Sequence, residues 1–432
     1  MSSDTVNTPA STTHTDYASL RSKALIVALI GLAIAAYGLV NGVLTGDERP
    51  VFSWLIGISY WLNIGVGMLF FVMIFYLFDA GWPIIIRRQL EHALGGFKWL
   101  FLLFLPLIAV GWGMFGDDPG ILWKWLNPDK MTPYGGTVSE DVLYQHKSAY
   151  LNAEFFTIRF FLYFAVWIGL SSLMRKCSYQ LDRDPNTRWA HLPRRASTVG
   201  VILCALGSTF AAIDWYMSVE YHWFSTMYGV WFFAEGMRSC FAMIVVILFF
   251  LSTKGYLNGI VNQAHYYYMG SLMLAFTMFW AYISFSQYFL IYNANIPEET
   301  FWYNLRELHK DGSKNSWWYV SMALIFGQFL LPFLALLWYK VKVIPKLLLT
   351  VAVWMLIMHT LDIYWNILPG KSMDPSAHHG YSVRPFSVSV YDLAMIIGVG
   401  GLMLWSFLKS AAREKPIPIR DPRILESINA HE

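Results

Sequence analysis

Residues 224–252 read FSTMYGVWFFAEGMRSCFAMIVVILFFLS, an apolar run longer than the roughly 20 residues a helix needs to cross a bilayer. Glu235 and Arg238 are its charged members. A charge at the bilayer centre costs at least about 2.5–3.5 kcal/mol, so an ionisable residue placed there usually has a partner and a task. The i, i+3 spacing of Glu235 and Arg238 puts them on one helix face, close enough to pair. The run therefore reads as a spanning helix with a polar site near its middle.

Outward from this run the chain holds about ten such segments. The others lie near 22–44, 53–78, 97–115, 153–176, 196–217, 266–293, 316–339, 346–368 and 389–409. Helix breakers separate them, among them Pro83, Pro185, Pro193, Pro297, Pro345 and Pro369-Gly370. Composition agrees. Of 432 residues 56% are hydrophobic and 14% charged, whereas a soluble domain is about a quarter charged. The expected fold class is all-α, a polytopic membrane protein.

The net charge of +3 carries no nucleic-acid message, because the basic residues are spread over helix-flanking loops rather than gathered in one patch. Cys177, Cys204 and Cys240 are scattered without a CxxC pair, so no zinc or iron–sulfur site is expected. The sequence holds no Walker loop and no dinucleotide fingerprint. Residues 1–20, rich in Ser and Thr, read as a disordered tail, and no cleavable signal is evident.

Lys and Arg concentrate on one side of the expected spans, with Arg21, Lys23, Arg87, Arg88, Arg194, Arg195, Lys340, Lys342, Lys346, Arg413 and Lys415 against fewer on the other, such as Arg49, Lys124, Lys147, Arg306 and Arg384. The positive-inside rule then makes both termini cytoplasmic in a bacterial inner membrane. The long outer loops, 116–152 and 294–315, follow the third and seventh helices. That four-helix offset divides the chain into a tail (1–20), a first flanking helix (21–52), two four-helix bundles (53–217 and 218–368), and a tenth helix with a second tail (369–432). Asp214-Trp215-Tyr216 and Asp362-Ile363-Tyr364 share a D-x-Y pattern at positions such a parallel repeat would equate.

Further ionisable residues fall within the spans. Glu154 and Arg159 begin helix four and either snorkel to the interface or line a cavity. Asp214, near the outer end of helix five, either answers the loop Glu220-Tyr221-His222-Trp223 or serves proton exchange among its apolar neighbours Trp215, Met217 and Phe224. His359 and Asp362, at i, i+3 on helix nine, suit a hydrogen-bonded imidazole and carboxylate, as a quinol contact or a relay step, or form a satisfied buried pair. His265 beside Tyr266-Tyr267-Tyr268 reads as an interfacial anchor. Gln287 and Gln328 read as helix cement. Haem b is disfavoured: His265 and His359 are the histidines in or beside these runs, and they lie in opposite halves of the bilayer.

Two longer stretches carry a family resemblance. DWYMSVEYHWFSTMYG at 214–229, and FWAYISFSQY at 279–288 continuing to NIPEET at 295–300, are similar to the signature of the second large quinone-oxidoreductase membrane subunit of bacterial alternative complex III. His359, Asp362, Tyr364 and Trp365 fit that family's ninth helix. The family is related to the polysulfide-reductase membrane subunits. The resemblance runs through helices two to ten. It implies two four-helix bundles and a place in a complex that oxidises membrane quinol and passes electrons to a cytochrome c or an oxidase. The implied partners are a multihaem cytochrome c subunit, an iron–sulfur subunit and a sister ten-helix subunit credited with the quinol site. Haem c and iron–sulfur clusters then belong to those partners, and quinone or quinol is the one cofactor this chain itself would meet.

The leading expectation is a membrane subunit of a quinol-oxidising complex that supplies a polar proton path and packing surface. Its path candidates are Glu154, Arg159, Asp214, Glu235, Arg238, His359 and Asp362, with no catalytic residue and no metal. A noncatalytic scaffold, with every buried charge paired, is the second reading. An independent secondary transporter is the third. Such proteins break helices at mid-membrane, whereas here Pro106 and Pro332 are the prolines away from helix ends.

Overall fold

The computed structural model describes residues 17–430 apart from 117, 134, 185, 258, 310 and 374–380. The tail residues 1–16 and the breaker Pro185 lie outside the described residues. Among those described, ten helices are long and apolar enough to cross a membrane: α1 Ala18–Thr45, α2 Glu48–Leu77, α3 Ile84–Gly111, α4 Ala153–Leu181, α5 Arg188–Glu220, α6 Tyr228–Thr253, α7 Gln263–Ala294, α8 Ser316–Leu337, α9 Pro345–Ile367 and α10 Val390–Ala411. Large apolar side chains such as Ile30, Ile158, Ile202 and Phe285 point outward and are more than half exposed. That is the reverse of a soluble surface and what a lipid-facing one requires. The protein is an all-α, multi-pass membrane protein.

The spans close into rings. α2, α3, α4 and α5 each touch the next, and α5 returns to α2; α6, α7, α8 and α9 do the same, and α9 returns to α6. α2 is the hinge between the rings, packing also on α6, and 83% of its apolar window is buried against 33% for α1. α10 packs along α2, and α1 lies against α10. Small residues permit the last contact: a Cβ on Gly31 would stand 2.7 Å from the Gly398 Cα. Without a hydrophobic drive between helices in lipid, such close backbone approach is the main source of attraction.

Two elements differ from the sequence reading. α3 begins at Ile84, not near 97, running through a short 3₁₀ turn at Leu94–Gly96. Arg87 and Arg88 are therefore buried helix residues rather than loop flanks. Their charges are met locally. Arg87 reaches Glu91 at 3.3 Å and Asp421 at 2.5 Å, Arg88 reaches Asp182 at 2.7 Å, and the Tyr76 hydroxyl donates to Glu91 at 2.9 Å. In α8, residues Leu324–Leu330 form a wide π turn. Pro332 has no N–H to offer the Gln328 carbonyl four residues back, and the wide turn accommodates the missing bond while Gln328 is wholly buried.

Candidate functional site

One set of buried ionisable groups inside the spans, which includes two of the sequence candidates on α6 and two on α9, lies where α2, α6, α7, α8 and α9 converge. α2 and α6 meet at glycines: a Cβ on Gly67 would come within 2.4 Å of the Gly236 carbonyl oxygen. This contact holds the neighbouring Glu235 in the interior, where Glu235, Arg238, Gln328 and His359 are each 0% exposed and Asp362 1%. Arg238 Nε donates to Glu235 Oε2 at 3.3 Å, and the Ser239 hydroxyl to Glu235 Oε1 at 3.3 Å. Gln328 Nε2 donates to both carboxylates, to Glu235 Oε2 at 3.2 Å and Asp362 Oδ2 at 2.8 Å. Asp362 also accepts from Trp280 Nε1 at 3.0 Å and from Asn366 Nδ2 at 3.2 Å.

His359 joins the cluster from α9. Its Nε2 lies 3.3 Å from the Tyr60 carbonyl oxygen, which can only accept, so Nε2 carries hydrogen. Its Nδ1 meets Glu235 Oε1 in a short hydrogen bond. That contact needs a hydrogen on one of its two atoms. His359 and Asp362 do not bond to each other, against the expectation from their i, i+3 spacing: each turns to a group on another helix. Gln328, expected to cement helices, bridges the two carboxylates.

Depth is also corrected. Glu235 lies seven residues into α6, about 10 Å from the helix end that faces the long loops, and Asp362 about 8 Å from the same end of α9. Glu235 and Asp362 thus lie nearer the long-loop ends of their helices, and Arg238 lies close to the middle of α6. On that side a small cavity of about 10 Å³, lined by Ser59, Asn63, Tyr228, Glu235 and Asn366 among others, has room for about one water centre. Arg238 Nη1, Gln328 Oε1 and Asn63 Oδ1 are buried without a protein partner, so the cluster has hydrogen-bonding capacity to spare. Toward the other end, residues 64–75 of α2 and 241–251 of α6 are uninterruptedly apolar.

Arg159 and Asp214 form a separate site between α4 and α5. The guanidinium grips the carboxylate with two bonds, Nε to Oδ2 at 2.7 Å and Nη2 to Oδ1 at 2.9 Å. The Tyr163 hydroxyl adds a third at 2.7 Å. Arg159 also donates to the Tyr150 carbonyl at 3.0 Å and packs over the Tyr150 ring at 3.8 Å. Glu154 is exposed and joins neither site. In each ring, then, the carboxylate on the fourth helix accepts from a side chain on the third: Asp214 from Arg159, Asp362 from Gln328.

His92 is a third buried helix histidine, which the apolar scan passed over; its Nδ1 lies 2.9 Å from the Tyr179 hydroxyl. His265 closes a capping box with Asn262 at the start of α7, rather than anchoring an interface. The signal for the α3 charges was present in the i, i+4 spacing of Arg87 and Glu91. Among the described residues no group of three or more His, Cys, Asp or Glu is placed to hold a metal ion.

Above the cluster the 294–315 loop lays Arg306 across the end of α9: its guanidinium donates to the carbonyls of Trp302, Trp365 and Asn366 and stacks 3.3 Å from the Trp302 ring centroid. No protein-family model matches the chain, and no curated protein matches it.

Proposed function

We propose that this chain is a membrane subunit of a quinol-oxidising respiratory complex of the alternative complex III type, and that the α6–α9 cluster is its proton-handling site. The carrying observation is the hydrogen-bonded contact of His359 Nδ1 with Glu235 Oε1, within reach of a second carboxylate through Gln328. Such an arrangement passes a proton by exchanging which of two acids holds it, with Arg238 fixing the charge of the pair. The family resemblance supplies the context. Quinol oxidation releases protons, and a polar site beside a water-sized cavity, about 10 Å from the long-loop helix ends, is placed to lead them toward that face. In this reading the long-loop end is periplasmic, both termini are cytoplasmic, and the membrane is the bacterial inner membrane. The apolar stretches of α2 and α6 then bar leakage to the cytoplasm. The haem-bearing and iron–sulfur subunits and the sister ten-helix subunit carry the electrons, and quinol meets the complex in the membrane.

Arg159 and Asp214 fit the scaffold reading instead, because each carboxylate oxygen is already held by the guanidinium and the pair is closed.

The test is quinol-driven proton release from the reconstituted complex carrying Glu235→Gln, with subunit content measured on the same sample. The expected result is slowed proton release in a fully assembled complex. Unchanged release and turnover in the assembled variant remove Glu235 from the path. A lone chain that purifies without haem-bearing or iron–sulfur partners sinks the complex itself.

A further inference from the structure

At the opposite end of the molecule, where the termini lie, the last turns of α4 and α10 and the 3₁₀ turn of α3 line a cavity of about 380 Å³. Its charged lining is Lys98, Arg175, Lys176, Lys409, Arg413 and Glu414. The one acid does not neutralise the five bases. Glu414 accepts from Arg183, outside the lining, at 2.6 Å. Among the described residues, Lys98, Lys176, Lys409 and Arg413 form no salt bridge. Arg175 is held by Ser410, whose hydroxyl accepts at 3.2 Å, and its Nε is buried without a partner. Like charges gathered around one concavity repel, and their summed field raises the local concentration of anions there.

The surroundings identify the kind of anion. Lys98 lies over the Trp99 ring at 5.3 Å and Lys409 over Trp405 at 4.7 Å. The two indoles pack edge to face at 5.6 Å. Trp405 and Lys409 stand in the last two turns of α10, Lys98 and Trp99 just past the 3₁₀ turn of α3, and tryptophan beside lysine near a helix end marks the headgroup level of a bilayer. One turn deeper on the face of Lys98, Leu102 is 49% exposed and offers hydrocarbon contact. We propose that this pocket binds the phosphate headgroup of an anionic phospholipid, and that the number of uncompensated cations selects a headgroup with two phosphates. Basic pockets between spanning helices recognise lipids in this way. The site is independent of the proton reading and uses none of its residues.

The test is native mass spectrometry of the full chain, purified in mild detergent and stripped of lipid. Diphosphatidylglycerol, phosphatidylethanolamine and inorganic phosphate are titrated separately, and phosphate is also titrated against bound lipid. One molecule of diphosphatidylglycerol per chain is expected to stay bound, while phosphatidylethanolamine is not retained and millimolar phosphate does not displace the lipid. The double variant Lys409→Gln/Arg413→Gln is expected to bind about 30-fold more weakly, at roughly fivefold for each lost cation. Lys98→Gln/Lys176→Gln, on different helices, should give a similar loss, so that one well-folded pair suffices. Lys346→Gln, outside the pocket, should leave binding unchanged. Equal retention of both lipids, or binding unaffected in both double variants, overturns the proposal. Phosphate that binds alone and displaces the lipid makes this a site for small anions and overturns the lipid assignment.

Discussion

Asp214 has every strong contact it needs from two residues of α4, Arg159 and Tyr163. Removing one side of such a buried pair leaves the other charge desolvated and unpaired, a loss of about 3–5 kcal/mol. Asp214→Asn is therefore expected to lower thermal stability sharply in detergent. The double variant Arg159→Met/Asp214→Leu, which removes both charges, should recover most of the loss. A double variant no more stable than the single one would mean the pair's charges are not what stabilises the α4–α5 contact. Glu235 is different: it has partners on its own helix, on α8 and on α9, so Glu235→Gln keeps an amide that can still bond to several of them. Structure is expected to survive there while proton exchange suffers, which is why the functional test is placed at Glu235.

Between elements, the α2–α6 crossing rests on Gly67 against the Gly236 backbone, at a distance that no added Cβ can occupy. Gly65, two residues earlier on α2, is roomier: a Cβ there would stand 3.5 Å from the Phe97 ring. The same substitution should thus have opposite signs at the two sites. Gly65→Ala gains up to about 1 kcal/mol from helix propensity. Gly67→Ala forces the helices apart and costs about 1–3 kcal/mol net of strain. Melting temperatures of the two purified variants, compared with the parent, check this, and equal shifts would show that the crossing yields at no cost. The wide turn in α8 is a second decision at this scale. Pro332 was visible in the sequence, but that it opens a π turn beside an inward Gln328 depends on neighbours on α6 and α9 able to bond the amide.

For the whole molecule, the long loops fold back over the helix ends. Asp141, outside the spans, ties the 116–152 loop to the turn just after α5: its Oδ2 lies 2.5 Å from His222 Nε2 and accepts from the Tyr221 hydroxyl at 2.8 Å. Burial would raise this carboxyl, but the hydrogen bonds from His222 and Tyr221 outweigh it and hold the group below its ordinary value. A depressed carboxyl stabilises the fold above its unfolded pKa, near 3.9, and that contribution is lost as pH falls through the lower folded value. The melting temperature of Asp141→Asn should lie below that of the parent at pH 6, and the two should converge in the pH 3 region. A gap that persists at low pH would show that the loop is tied by other contacts.

The spans were legible because crossing a bilayer demands a length of apolar sequence, a one-dimensional property that each helix satisfies by itself. The Glu235–Arg238 pair was legible for the same reason, being local to one helix. What the sequence could not decide were contacts between residues far apart in the chain. The apolar scan ended α3 at its charges, although Asp182 and Asp421 neutralise them inside the protein. Spacing paired His359 with Asp362, although the imidazole turns to Glu235 on α6. Gln328 looked like cement because a neutral amide costs little to bury, and only its position between two carboxylates gives it a larger part. Composition and periodicity thus determined that this chain spans a membrane and where it crosses. Which buried charges meet, and how far along their helices, was decided by the packing of helices against one another, because a charge in hydrocarbon is stable only beside the partner the fold brings to it.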